Sequence, residues 1–321
     1  MAYLDSLDRK ILYELDRNSR QNYFELAKKV KAKKDTVKYR IERMIKNRLI
    51  TGFYTVIDYS KFGFMSFRLY IKLSDIPLLK IQELVEYLKN HKNVTIFYRT
   101  TGNWDFTLSV WMRDIWGYEV FWNDLTERFG CYFLDYHLAL KTKYTEFSRS
   151  YLYQKQDEEK KQFTILQKTE KFDLDTTDFK ILTALSKNAR CSLVDTSKKC
   201  GISVVTCRSR IKSLIKKKII IGFRAVLDYE MLGYRLFKVD IWIQNMKKKQ
   251  EIMEYVLSHP NVTYVQTTII TSDIEFDIEV EGILEFTAVM DQIRKCFPND
   301  IKRYEYYMLI ENYKINYLSS L

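Results

Sequence analysis

Apolar residues recur at Leu7, Ile11, Leu12 and Leu15, a three-and-four spacing that predicts a helix with one buried face, capped by Asp5 or Ser6. A second short helix carries Phe24, Leu26, Ala27 and Val30 inward, and a third carries Val37, Ile41, Met44 and Ile45. Three short helices with a tight break before the third describe a helix-turn-helix. A strand is predicted over Ile50–Ile57. The period then changes to two. Phe67, Leu69, Ile71 and Leu73 alternate with Arg68, Tyr70 and Lys72, which marks a half-buried strand. A helix over Leu78–Leu88, a strand over Val94–Thr101 and an alternating strand through Phe106, Leu108 and Val110 follow. A helix over Trp116–Phe129 and a last strand through Leu134–Leu140, with His137 pointing outward, complete a β-α-β-β-α-β unit of ferredoxin-like order.

The same order then returns. With an offset of 170, Leu4–Phe64 align without a gap onto Leu174–Tyr234, and 23 of the 61 pairs are identical. Copy two continues with Phe237–Ile243, Ile252–Leu257, Val262–Thr268, Phe276–Val280, Phe286–Phe297 and Tyr304–Ile310. The fold class is therefore α+β: two tandem repeats, each a winged-helix-like helix-turn-helix domain plus a ferredoxin-like domain. The expected boundaries are 1–63 and 64–147 for copy one, 148–172 for a linker, and 173–233 and 234–321 for copy two. Gln154–Lys171, rich in Gln, Lys and Glu, reads as a solvated segment with helical leanings. In copy two Gly201 stops the second helix and Ser203 caps the third. Copy one has Lys31 and Lys33 there, which predicts a less regular turn.

The chain of 321 residues has a net charge of +12, unevenly placed. Residues 28–48 hold ten Lys/Arg against two acids, and residues 198–218 hold eight against none, so each patch carries +8 and the remainder about −4. Two matched basic patches on an otherwise slightly acidic chain point to phosphate and hence to double-stranded DNA. The candidate contacts are Lys34, Thr36, Lys38, Tyr39, Arg40 and Arg43, with Thr206, Arg208, Arg210 and Lys212 in copy two. Arg40 and Arg210 are shared by both copies; a salt bridge within their own domain is the competing role. No apolar run approaches the ~18 residues of a membrane span, and Met1–Asp5 has no signal-peptide pattern, so a cytoplasmic protein with no membrane partner is expected. The five cysteines form no CxxC pair and read as reduced thiols, Cys207 as a core residue. No catalytic motif, metal cluster or cofactor loop is legible, and none is expected.

Leu4-Asp5, Lys10-Ile11-Leu12, Asn18-x-Arg20, Arg40-Ile41, Ile50-x-Gly52-Phe53 and Thr101-Gly102-Asn103-Trp104-Asp105 resemble the Lrp/AsnC (feast/famine) family of transcription regulators. The resemblance covers nearly the whole chain, twice. It implies DNA-binding heads joined to regulatory domains, an amino acid or small metabolite as effector, and further homo-oligomer assembly. The fused copies would form an intramolecular pseudo-dimer, with Ile50–Ile57 and Ile220–Leu227 paired as an antiparallel ribbon. Gly102 and Asp105 are the effector-site candidates; the alternative is a plain hairpin turn. Copy two reads Thr271-Ser272-Asp273 and lacks the glycine. The strand face of Phe106, Leu108 and Val110 needs covering and favours higher assembly.

Two other functions stay open. Sirohaem decarboxylases of haem biosynthesis resemble the same family and pair two related subunits. Their pattern places a His before a Tyr on the second regulatory strand, where this chain has Ile96 and Tyr264, keeping Tyr98 in copy one. The other is a ligand sensor whose DNA heads have decayed. His91 and His259, at equivalent places before Asn-Val, read as helix-end residues.

Overall fold

The computed structural model describes residues 4–153, 159–166, 170–269, 272–316 and 318. Copy one runs α1 (Ser6–Arg17), α2 (Tyr23–Val30), α3 (Lys34–Lys46), β1 (Ile50–Ile57), β2 (Met65–Leu73), α4 (Leu78–Asn90), β3 (Val94–Gly102), β4 (Phe106–Met112), α5 (Ile115–Phe129) and β5 (Phe133–Phe147). After β6 (Gln162–Leu166), copy two runs α6 (Thr176–Lys187), α7 (Leu193–Cys200), α8 (Val204–Lys216), β7 (Ile220–Leu227), β8 (Arg235–Ile243), α9 (Lys249–Ser258), β9 (Val262–Ile269), β10 (Ile274–Val280), α10 (Ile283–Cys296) and β11 (Ile301–Ile315). Among the described residues, no helix is long and apolar enough to cross a membrane.

The heads start where the caps dictate. Asp5 accepts the Asp8 amide while Asp8 reaches back to Asp5, and Asn22 and Glu25 do the same for α2. The irregular turn expected in copy one is not found. Lys31 takes the left-handed conformation (φ 54°) that Gly201 takes in copy two (φ 70°), although a side chain there costs about 1–2 kcal/mol. Phe24 and Ile45, expected inward, are exposed, as is Ile215, the copy-two counterpart of Ile45; Phe24 lies under the Lys28 ammonium instead.

β1 and β7 pair antiparallel, with Phe53 opposite Ala225. Each head completes its core with the other copy's strand. Ala225 and Leu227 join the core of α1–α3, and Ile57 joins that of α6–α8. The repeated Asn-x-Arg sequence seals the join. Arg20 donates to the Ala189 carbonyl, and Arg190 donates to the carbonyls of Ser19 and Gln21.

The two ferredoxin-like sheets do not stay separate. Their strands join edge to edge in the order β2-β4-β3-β11-β8-β10-β9-β5, and β5 pairs again with β2, closing an eight-stranded barrel. Its outer face is apolar. Phe67, Leu69, Phe106, Leu108 and Val110 lie under α4 and α5, and Phe237, Val239, Phe276 and Ile278 lie under α9 and α10. The Phe106–Val110 face is thus covered by the chain's own helices and calls for no second molecule.

The segment expected to be solvated or helical instead supplies strand β6 on the flank of β5, with Phe163 and Ile165 buried. Phe163 lies where a Cβ on Gly222 would come within 2.2 Å of its ring. Residues 154–158 and 167–169 of that segment lie outside the described residues.

Candidate nucleic-acid interface and barrel lumen

Helix α3 buries Val37, Ile41 and Met44, and α8 buries Cys207, Ile211 and Leu214. The opposite faces are exposed. Lys34, Lys38 and Tyr39 stand out on α3, with Thr36 half-buried beside them. Thr206, Arg208 and Lys212 stand out on α8. The Thr206 hydroxyl shares a 2.8 Å hydrogen bond with the Ser203 hydroxyl, so part of its capacity serves the helix cap. Among the described residues Lys38 has one loose ion-pair partner, Glu42, at 3.9 Å.

Arg40 and Arg210 form the intradomain salt bridges that are the competing role in the sequence, and Arg43 joins them. Arg40 lies 2.5 Å from Asp5 and 3.1 Å from Asp8, and Arg43 lies 2.5 Å from Asp8. Arg210 repeats the pattern with Asp175 at 2.6 Å and Asp178 at 3.3 Å. These arginines clamp the third helix onto the start of the first, and the capping aspartates hold their donors. The Asp8 amide, with Arg40 beside it, keeps the Asp5 carboxyl below its usual value against the opposing pull of burial.

Gly102 and Asp105 lie at the hairpin between β3 and β4. The Asp105 carboxylate accepts the Leu73 amide at 2.8 Å and lies 3.1 Å from the Lys72 ammonium. Asp273 accepts the Ile243 amide at 2.8 Å in the same place of copy two, without a preceding glycine. Gly102 has φ +115°, and a Cβ there would lie 3.1 Å from the Tyr306 carbonyl as β11 passes. The pair's residue types follow from that turn; Thr271 lies outside the described residues.

Sequence reasoning missed the barrel lumen. The polar half of each alternating strand points inward, so Arg68, Lys141 and Lys238 share the interior with Asp240, Glu275 and Asp277. His137 also faces this interior, against Tyr70 and Trp104, not outward as expected. Lys238 pairs with Asp277 at 2.7 Å. Among the described residues Arg68 and Lys141 have no ion pair, and the Arg68 Nε, Ser66 hydroxyl, Thr107 hydroxyl and Tyr307 hydroxyl have no hydrogen-bond partner. Burial, with Arg68 and Lys238 nearby, pulls the Lys141 ammonium well below its ordinary value. Burial, with Glu275 next to it, pushes the Asp240 carboxyl well up. His91 and His259 close α4 and α9 as expected, but burial first, then Lys314 and Lys160 respectively, lowers both imidazoles.

A second buried network ties head to barrel. Asp16 on α1 lies 2.7 Å from Arg224 on the ribbon and 2.9 Å from Arg149 beyond β5. Arg149 continues to Glu279 on β10 at 2.8 Å, and Arg224 to Glu146 on β5 at 3.0 Å. The copy-two counterpart of Asp16 is Ser186, so the network is built on one side.

Two winged helix-turn-helix heads, crossed over a shared ribbon and mounted on a barrel of two ferredoxin-like units, define a duplicated protein of the DNA-binding class. Residues 4–51 and 174–221 each match the family of winged helix-turn-helix DNA-binding domains, and residues 77–146 match the Lrp/AsnC ligand binding domain. The chain belongs to the Lrp/AsnC family. It is similar to an uncharacterized HTH-type transcriptional regulator of Pyrococcus furiosus, 30% identical over 116 residues, which are 36% of this chain and 75% of that protein. It is also similar to the HTH-type transcriptional regulator Ptr1 of Methanocaldococcus jannaschii, 32% identical over 115 residues, 35% of this chain and 74% of that one. Each match spans about one copy. The crystal structure of the siroheme decarboxylase NirDL superposes on 98% of this chain and 94% of its own, with a TM-score of 0.66 and 12% identity. That likeness is one of fold.

Proposed function

We propose that this Lrp/AsnC-type protein is a sequence-specific transcription regulator in which two fused copies replace a dimer. In this reading residues 1–63 and 173–233 are the DNA heads, and residues 64–147 and 234–321 form the regulatory unit. Helices α3 and α8 enter successive major grooves, roughly 34 Å apart. The observation that carries the reading is the pair of equivalent basic helix faces, Lys34, Lys38 and Tyr39 on one and Arg208 and Lys212 on the other, free of the clamps that hold Arg40 and Arg210. Because Tyr39 is replaced by Ser209, the preferred half-sites differ, and the operator is not a perfect palindrome. A small metabolite acts through the barrel beneath the ribbon.

The test is binding to the DNA upstream of its own gene against random duplex, titrated across salt. The expected result is tight, specific binding with a steep negative log–log salt slope. Equal, weak binding to both duplexes would refute the reading.

A second reading, an enzyme of haem biosynthesis, draws support from the whole-chain likeness to NirDL, barrel included. Against it, the positions of the His-Tyr pattern hold Ile96 and Tyr264, both lining one small cavity. Purification with a sirohaem absorbance band would reverse the preference.

A further inference from the structure

A partly open cavity of about 60 Å³ lies between the ribbon strand β1 and the barrel, lined by Ser66, Ser109, Trp111, Lys141, Tyr144 and Tyr264 among others. One water needs ~10–15 Å³ by this kind of measure, so there is room for several waters or a small organic acid. The chemistry of the lining favours the acid. Lys141 is buried, and its ammonium donates to the Ser109 hydroxyl at 3.0 Å, its one hydrogen bond among the described residues. An ammonium has three donors, and a buried cation is costly unless paired. The carboxylate that shares the cavity, Glu146, is engaged by the Tyr54 hydroxyl at 2.7 Å and Arg224 at 3.0 Å. The Ser66 hydroxyl is fully buried in the same wall without a partner. Arg68, next along the inward face of β2, adds a second buried cation that no carboxylate bridges among the described residues.

The duplication sharpens the argument. In the register of the strand pairs, the equivalent positions of the other half hold Leu236 for Ser66, Asp277 for Ser109, Glu279 for Trp111 and Leu309 for Lys141. Lys141 and Ser66 are therefore features of one copy, whereas Arg68 has a cationic counterpart in Lys238, which Asp277 pairs at 2.7 Å.

We propose that this cavity binds one small carboxylate anion, held by the Lys141 ammonium and the Ser66 hydroxyl, once per chain. This gives a chemistry to the small-metabolite part of the reading above, and the binding is measured without DNA, so its failure leaves the DNA reading standing. Residues 54–57 of β1 form part of the cavity wall, which places the ligand against the ribbon that joins the heads.

The experiment is thermal unfolding of the full chain in increasing sodium acetate against sodium chloride and sodium phosphate at matched ionic strength. The expected result is a saturable rise in midpoint with acetate only. In Lys141→Met the acetate response is lost, while the midpoint in chloride equals or exceeds that of the wild type because an unpaired buried cation is gone. Ser66→Ala, a smaller change that preserves folding, raises the half-saturating acetate concentration at least tenfold. An identical curve in all three salts, a phosphate response equal to that of acetate, or an acetate response that survives either substitution unchanged would overturn the proposal.

Discussion

Arg40 and Arg210 show how identity between repeats is to be read at the level of single residues. Both copies keep an arginine there, and both keep its two aspartates, Asp5 and Asp8 in one and Asp175 and Asp178 in the other. What the repeats share is the clamp of the fold, whereas the exposed positions have diverged, Lys38 to Arg208 and Tyr39 to Ser209. From the sequence, a shared arginine on a basic helix is indistinguishable from a shared DNA contact, because the aspartates that hold it are 32 and 35 residues away. The two roles separate by measurement. Arg40→Ala should cost about 1–2 kcal/mol of stability by urea denaturation, since it leaves the buried Asp8 with Arg43 as its one ion-pair partner among the described residues. Lys38→Ala and Arg208→Ala should stay within about 0.5 kcal/mol of the parent, yet each should reduce the salt slope of DNA binding by about 0.9. A neutral Arg40→Ala with weakened DNA binding would return that arginine to the interface.

Elements were read well where their own period decided them, and poorly where a partner did. The helices of the heads and the two-period strands of both units were legible because a helix or half-buried strand carries its pattern within itself. Strand β6 was not. Its only apolar residues are Phe163, Ile165 and Leu166, and the first two are buried only because β5 and the ribbon lie beside them. The two glycines of the Gly-Phe pairs, Gly52 and Gly222, look equivalent in the sequence and are not. A Cβ on Gly222 would stand 2.2 Å from the Phe163 ring, whereas one on Gly52 meets the Val226 side chain at 3.7 Å, an ordinary contact. Gly222→Ala should therefore destabilise the chain by about 1–3 kcal/mol or expel β6, and Gly52→Ala should be close to neutral. Denaturant midpoints of the two variants compare them directly; equal effects would mean that Phe163 does not hold β6 against the ribbon.

For the whole molecule, alternation told which residues share a face but not which face meets water. Arg68, Lys238, Asp240, Glu275 and Asp277 look like solvent positions, and the closing of the barrel turns them inward while α4, α5, α9 and α10 cover the apolar side. The same closing makes the copies interdependent. Burial pushes the Asp16 carboxyl up, but Arg224 and Arg149 outweigh it and leave it below its ordinary value. A lowered carboxyl contributes stability above its unfolded pKa, about 3.9, and that contribution is lost as pH falls below it. Arg224→Met, which strips Asp16 of one partner, should cost about 3–5 kcal/mol at neutral pH, and Asp16→Asn should flatten the acid limb of the stability curve below about pH 4. No covalent link is needed for this dependence. The copies are joined by three strand pairs, β1–β7, β3–β11 and β5–β9, and by heads that borrow core residues from each other. Either half alone would expose two barrel edges as well as an unpaired ribbon strand, the sort of surface that aggregates. Expressed together as separate polypeptides, residues 1–153 and 159–321 should copurify as a one-to-one complex, and each expressed alone should be largely insoluble. If the halves instead purify as soluble, independent monomers, the strand joins are too weak to hold the molecule, and the connection between β5 and β6 is what keeps the two copies together.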